Sequence, residues 1–425
     1  MRRTVATGAL MLMASGLVLG ACSGGSESGA SGGAGGDGGK LDVYLNMTTG
    51  SPAYTEMKSL VDKFEQETGT EVEFTIDSAD VFQKEMTVRM ASSNLPDVFS
   101  THGWSVQRYS PYLEALNDQP WMQYMDTGLD TAMKDTDGNV YALPLEYTVT
   151  GISVNFDVLE EAGVDPDSLT TWDAFTDALA KVKAAGKTPI TCSGKISAPG
   201  NLADFIASGA FSQEERQSFK TGEFLSEAWQ TRVLDLAKEW SDAGYFNPDY
   251  ASATADDMAS QIGQGQAAFA FAQPTLLATS LSFSPDANVG FIPIPSGITD
   301  PYLVGGEGVN AYGVAKDSPN KEAALKFLDF LAQPENASAM AEAIGSYSGL
   351  TNATPNLGTL QSSYDKWVKP GDLVTEPFFD RVYLPNGIWA TLITTTDSVI
   401  TGQADTAQAT SDLKDQYMTL GGKAE

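Results

Sequence analysis

The chain has 425 residues, 42% hydrophobic and 19% charged, a composition that fits two or three globular domains and excludes a disordered chain. With 25 Lys+Arg against 55 Asp+Glu, its net charge of −30 repels phosphate backbones and anionic lipid alike, which excludes nucleic acid as a partner. The single histidine, His102, excludes multi-histidine metal sites, and two cysteines, Cys22 and Cys192, are too few for a disulfide scaffold.

Arg2 and Arg3 precede a short apolar run, Ala9 to Leu19, and then Leu19-Gly20-Ala21-Cys22. A basic start, a short apolar core and small residues before a cut site mark residues 1–21 as a secretory signal. The run is too short for a permanent span of about 20 residues. Leu-Gly-Ala-Cys resembles the bacterial lipobox, and that resemblance implies lipid attachment (diacylglyceryl and palmitate) at Cys22. The Gly/Ser-rich stretch over residues 22–39 reads as a flexible tether with a reach of roughly 20–25 Å. Cys192 then has no partner and reads as a small buried residue.

In the body, Leu41 to Leu45 alternates as a first strand, and residues 53–68 carry Met57, Leu60, Val61 and Phe64 at helical spacing up to Gly69. Glu71 to Ile76 reads as a strand, residues 80–92 as a helix and Pro96 to Ser100 as a short strand. This β-α-β-α-β order predicts an α/β layered domain. Farther along, Val140 to Leu145 and Thr148 to Phe156 read as extended. A helix follows with Trp172, Phe175, Leu179 and Val182 on one face, entered through Thr170 or Thr171; with Thr170 as cap, Asp173 would stand as in a capping box. Pro189 to Cys192, Ala267 to Phe271 and Asn288 to Pro295 read as strands. Trp229 to Trp240, residues 319–332 with Ser318 as cap, 358–368 and 405–419 read as helices.

Several stretches together resemble the extracellular solute-binding proteins of bacterial ABC importers, in the sugar-binding group that includes the maltose-binding protein. They are Pro96-Asp97-Val98-Phe99, Tyr141 to Pro144 followed by Gly151 to Asn155, Leu159 to Gly163, Thr171-Trp172-Asp173, Gly265 to Phe269, and Ser318 to Ala324 with Phe327-Leu328. The resemblance implies a two-lobed, periplasmic-binding-protein-like α/β fold with a hinge and an interlobe ligand cleft. It implies a first lobe of 40–153 plus 306–345 and a second of 154–305 plus 346–425. It also implies no catalytic residue, metal or cofactor, ABC permease subunits as partners, a monomer, and a place on the outer face of the cell membrane through the lipid anchor alone.

Sugar recognition needs aromatic platforms for C–H faces and planar polar groups for hydroxyls. Strand ends and loops are where such residues gather in α/β folds. The candidates after the first strands are Asn46, Thr49, Asp97, His102 and Trp104. Glu146 and Tyr147 precede the first crossing between lobes, and Glu307 sits among the glycines at 305, 306 and 308 near a second. Phe271, Gln273, Tyr347, Asn386 and Trp389 complete the set, while Trp121, Trp172, Trp229 and Trp240 are assigned to packing. A secreted glycoside hydrolase remains open, because 55 acidic residues can always supply two carboxylates. So does a binding protein for another small solute that signals to a membrane receptor.

Overall fold

In the computed structural model the described residues are 40–101, 106–298, 300–308 and 310–421. The signal, the tether and Cys22 lie outside them. Among the described residues the strands form three sheets, of five, four and three strands.

The first sheet holds β1 (Leu41–Asn46), β2 (Val72–Asp77), β3 (Val98–Ser100), β4 (Leu143–Pro144) and β11 (Ala311–Val314). β1 pairs in parallel with both β2 and β3, so it is flanked on both edges inside the sheet, and its residues are almost all buried. β2 is the edge, and its exposed Glu73 and Thr75 alternate with half-buried Val72, Phe74 and Ile76. The helix Pro52–Thr68 starts at Ser51, whose hydroxyl accepts from Tyr54 N, and stops at Gly69 in the left-handed conformation (φ 73°). Its buried Phe64 meets Phe327 and Phe330 at ring separations of 5.0 and 5.4 Å, which fixes the helix Lys321–Leu331 against this half.

β6 (Ile152–Asn155) is interior to the second sheet, antiparallel to β8 (Ala267–Ala270) and β9 (Val289–Ile292), with β7 (Thr188–Ile190) parallel to β8. Its core is dense in aromatic rings. Phe175 packs against Trp240, Phe269 and Phe271, and Phe211 against Phe219, Trp229 and Phe379.

The two cores are separate clusters. Leu145 belongs to the first and Val149 to the second; Val304 belongs to the second and Ala311 to the first; Leu350 belongs to the first and Leu357 to the second. The chain therefore passes between them three times. The third sheet carries the first two passages: β5 (Tyr147–Thr150) runs antiparallel to β10 (Leu303–Glu307), which lies parallel to β12 (Thr375–Pro377).

Of the two threonines read as the entry to the helix Trp172–Ala184, Thr171 caps it, accepting from Ala174 N, so the capping box from Thr170 is not formed. One helix start differs from the sequence reading. The helix expected from 319 begins at Lys321, because the Ser318 hydroxyl donates to Asp97 and accepts from Asn320 N instead of capping. The long helices Ala198–Ala210, Pro334–Ile344 and Trp389–Ile400 are additional to the sequence reading.

Candidate functional site

Strand direction decides which sheet edges face the linking strands. β4 leads into β5, so its C-terminal end points there. β11 is antiparallel to β4 and β3, and β1 and β2 are parallel to β3. The C-terminal ends of β1, β2 and β3 therefore lie on the linking edge, carrying Asn46, Asp77 and Ser100. In the second sheet β6 leaves the linking strands at Ile152. The strands antiparallel or parallel to it then place the C-terminal ends of β7 and β8, followed by Thr191 and Gln273, on the same side.

Asn46 lies on this edge, 6% exposed, with its backbone N–H donating to Ser100 Oγ at 2.9 Å. Its side-chain amide has no hydrogen bond among the described residues. Thr49 is exposed in the following turn. Gln273, half-buried, follows β8. His102 and Trp104 lie outside the described residues, as does the side chain of Glu307, whose backbone pairs with Tyr147.

Asp97 is a correction. It precedes β3 and so lies at the opposite edge of the sheet. Its carboxylate accepts from Asp42 N (2.9 Å), Ser318 Oγ (2.6 Å) and Asn320 Nδ2 (3.0 Å). Those bonds tie the start of β1 to the turn before the helix Lys321–Leu331, and the group is spent on folding. Phe271 is a second correction. It is 2% exposed, stacks on Trp240 at 5.9 Å and touches Phe205 and Phe175, so it is core and offers no face to a ligand.

Glu146 stands where the chain leaves the first core. Its Oε1 accepts from Thr148 Oγ1 and its Oε2 from Asn310 Nδ2, both at 2.8 Å, and Asn310 Oδ1 accepts from Tyr312 OH at 2.8 Å. The carboxylate therefore joins the first passage to the second. A carboxylate has about four acceptor positions, and these bonds use two of them. Gly308 is the residue that leaves room: a Cβ there would sit 1.9 Å from the Glu146 carboxyl carbon. Gly306, in the same strand, has φ 153°, a conformation that excludes other residues without strain.

Tyr147 donates its backbone N–H to Tyr347 O at 2.8 Å and its carbonyl accepts from Ser346 Oγ at 2.9 Å, which brings the third passage beside the first. Burial raises both phenols' pKa, with Asp126 adding to the effect at Tyr147. The Tyr347 ring lies edge-on to Tyr364 at 4.4 Å. Trp389 is half-buried at the start of the helix Trp389–Ile400, against Gly200, and Asn386 is exposed in the turn before it. Cys192 is free and buried, its thiol pushed up to about 12 by burial, which suits packing and no chemistry. A groove of 480 Å³ opens elsewhere in the second lobe, between Trp172, Arg232 and Ile298; no candidate residue lines it.

Sequence reasoning missed Asn310 and Ser346. Both sit near crossing segments, but their roles depend on partners distant in the chain.

Two separately cored α/β halves, linked by crossing strands with polar groups at the facing strand ends, define a two-lobed ligand-binding protein. The chain belongs to the family of bacterial extracellular solute-binding proteins, whose model matches residues 49–338. It is 32% identical over 365 residues to the melibiose/raffinose/stachyose-binding protein MelE of Bacillus subtilis, covering 83% of each chain. Among solved structures, it resembles a Bacillus licheniformis sugar transporter in complex with stachyose (TM-score 0.80, 27% identity, 89% of this chain and 99% of the other). It also resembles a Bacillus subtilis binding protein in an open conformation (TM-score 0.79, 29% identity, 91% and 98%).

Proposed function

We propose that this protein binds an oligosaccharide of the melibiose, raffinose and stachyose series and delivers it to the permease of an ABC importer. The supporting observation is the relationship to MelE across 83% of both chains. The site chemistry agrees: Asn46, Gln273 and Glu146 supply planar donors and acceptors for hydroxyls, and Trp389 supplies a ring for a pyranose face. In this reading the lobes follow the expected 40–153 plus 306–345 and 154–305 plus 346–425, except that Val149 and Ile152 pack in the second core and Leu350 in the first, and they close over the ligand by bending at the linking strands. The protein performs no chemistry on its ligand and acts as a monomer, held outside the cell membrane by lipid on Cys22.

Calorimetric titration with melibiose, raffinose, stachyose and maltose tests the reading. Heat and a rise in melting temperature are expected with the galactose-bearing sugars, since a ligand that binds only the folded state stabilises it. Absence of binding to all three, or release of monosaccharide during incubation, would overturn it.

A further inference from the structure

The second lobe holds a charged cluster beside the linking strands that the site described above does not use. Asp204, 2% exposed, lies in the helix Ala198–Ala210, and its Oδ1 accepts from Asp380 N at 2.7 Å. Asp380 and Arg381 follow β12 in the short helix Phe379–Tyr383. The Arg381 guanidinium lies over the Phe378 ring at 4.1 Å. Its Nη1 is 3.8 Å from where a Cβ on Gly306 would stand. Two residues farther along, just past the end of β10, Gly308 makes room for Glu146. A half-buried cation and a buried carboxylate thus flank one glycine-rich segment where the lobes join.

We propose that Arg381 is a ligand-contacting residue at the hinge side of the cleft, and that Asp380, backed by Asp204, positions it. The proposal rests on the carbohydrate reading above. Guanidinium and carboxylate placed beside glycines two residues apart offer donors and acceptors to adjacent hydroxyls of one sugar ring. The Phe378 ring under the guanidinium holds it in place, so ordering it on binding loses little freedom.

The carboxylates supply a readout that packing alone would not. Two such groups in contact, one of them buried, resist ionising together. Burial first, and the neighbouring Asp380 charge second, raise Asp204 well above the usual carboxyl range. Burial raises Asp380 too, while Arg381 pulls it back. Asp204 accordingly keeps the proton, and Asp380 stays ionised beside Arg381.

Other charged groups on the elements around this helix are already matched. Arg216 pairs with Glu376 of β12, Arg232 with Glu215, and Asp397 accepts from Tyr250 OH. Tyr302 OH donates to Phe205 O, and Tyr383 lies beside Arg216. The folded state raises the Asp204 pKa, so its contribution to stability is complete below the unfolded carboxyl pKa. That contribution is lost as pH rises through the folded value. A second negative charge formed there draws Arg381 inward, and ligand affinity falls with it.

The test titrates stachyose into the full-length protein and into Arg381→Met, Arg381→Lys and Asp204→Asn, over a pH series from mildly acidic to alkaline, beside unliganded melting curves. Arg381→Met should weaken binding on the order of ten- to hundredfold while melting close to wild type, with Arg381→Lys recovering part. Wild type should lose affinity and melting temperature as pH rises above the ordinary carboxyl range. Asp204→Asn, which mimics the protonated acid, should flatten both profiles. Wild-type affinity in Arg381→Met, or an unchanged decline with rising pH in Asp204→Asn, overturns the proposal. If wild type binds none of the sugars, the carbohydrate reading fails instead, and the melting profiles still decide whether Asp204 carries the proton.

Discussion

The two ends of the first-lobe sheet contain similar residues and do opposite things. At the end where β3 starts, the Asp97 carboxylate takes three hydrogen bonds from Asp42, Ser318 and Asn320 and is finished as a structural tie. At the end where β1 stops, Asn46 is nearly as buried, yet its amide has no partner among the described residues. The amide keeps access to water, which a ligand hydroxyl can replace. The open end faces the linking strands and the closed end faces away. Strand polarity, more than residue type, separates the group that folds the protein from the group that can hold a ligand.

That contrast can be broken by substitution. The largest effect is expected at Phe271, which the structure moves from site to core. Phe271→Ala should cost roughly 3–5 kcal/mol of stability, read from denaturant unfolding, while sugar affinity of the folded fraction stays unchanged. A stable Phe271→Ala that has lost binding would return the residue to the site. Asp97→Ala should cost about 3 kcal/mol, because buried donors lose their acceptor, again with normal binding. Asn46→Ala should invert the pattern. Its unfolding free energy should shift by less than about 1 kcal/mol, and its affinity for sugar should fall on the order of tenfold. Equal effects on stability and binding at both positions would erase the distinction between the two ends. A smaller change in the folded body, but a change of location, is expected of Cys22→Ser: the protein should leave the membrane fraction for the medium, and retention would refute the anchor.

The α/β order, the helix Pro52–Thr68 with its Gly69 stop, and most strands were legible because periodicity and caps are local signals. Directions were not. A strand as short as β3 has Asp97 just before it and Thr101 just after it, neighbours in sequence at opposite edges of a sheet. Phe271 continues the alternation of Phe269, one residue beyond β8, and only the packed rings of Phe175, Phe205 and Trp240 show that the core extends that far. Glu146 was legible as a place, since it stands beside a crossing. Its bond to Asn310, 164 residues away, was not, and neither was the reason for Gly308. Ser318 resembled a helix cap because its competitor, Asp97, is distant in sequence. In each case the missing information was a partner supplied by tertiary structure.

The central claim is that two lobes close over a sugar by bending at the linking strands. Small-angle scattering of the full-length protein with and without saturating stachyose tests it most directly. The account predicts a smaller radius of gyration in the bound state, with the same compaction for raffinose and none for maltose. Calorimetrically confirmed binding of stachyose with superimposable scattering curves would contradict it, and would mean a preformed site that does not depend on the hinge.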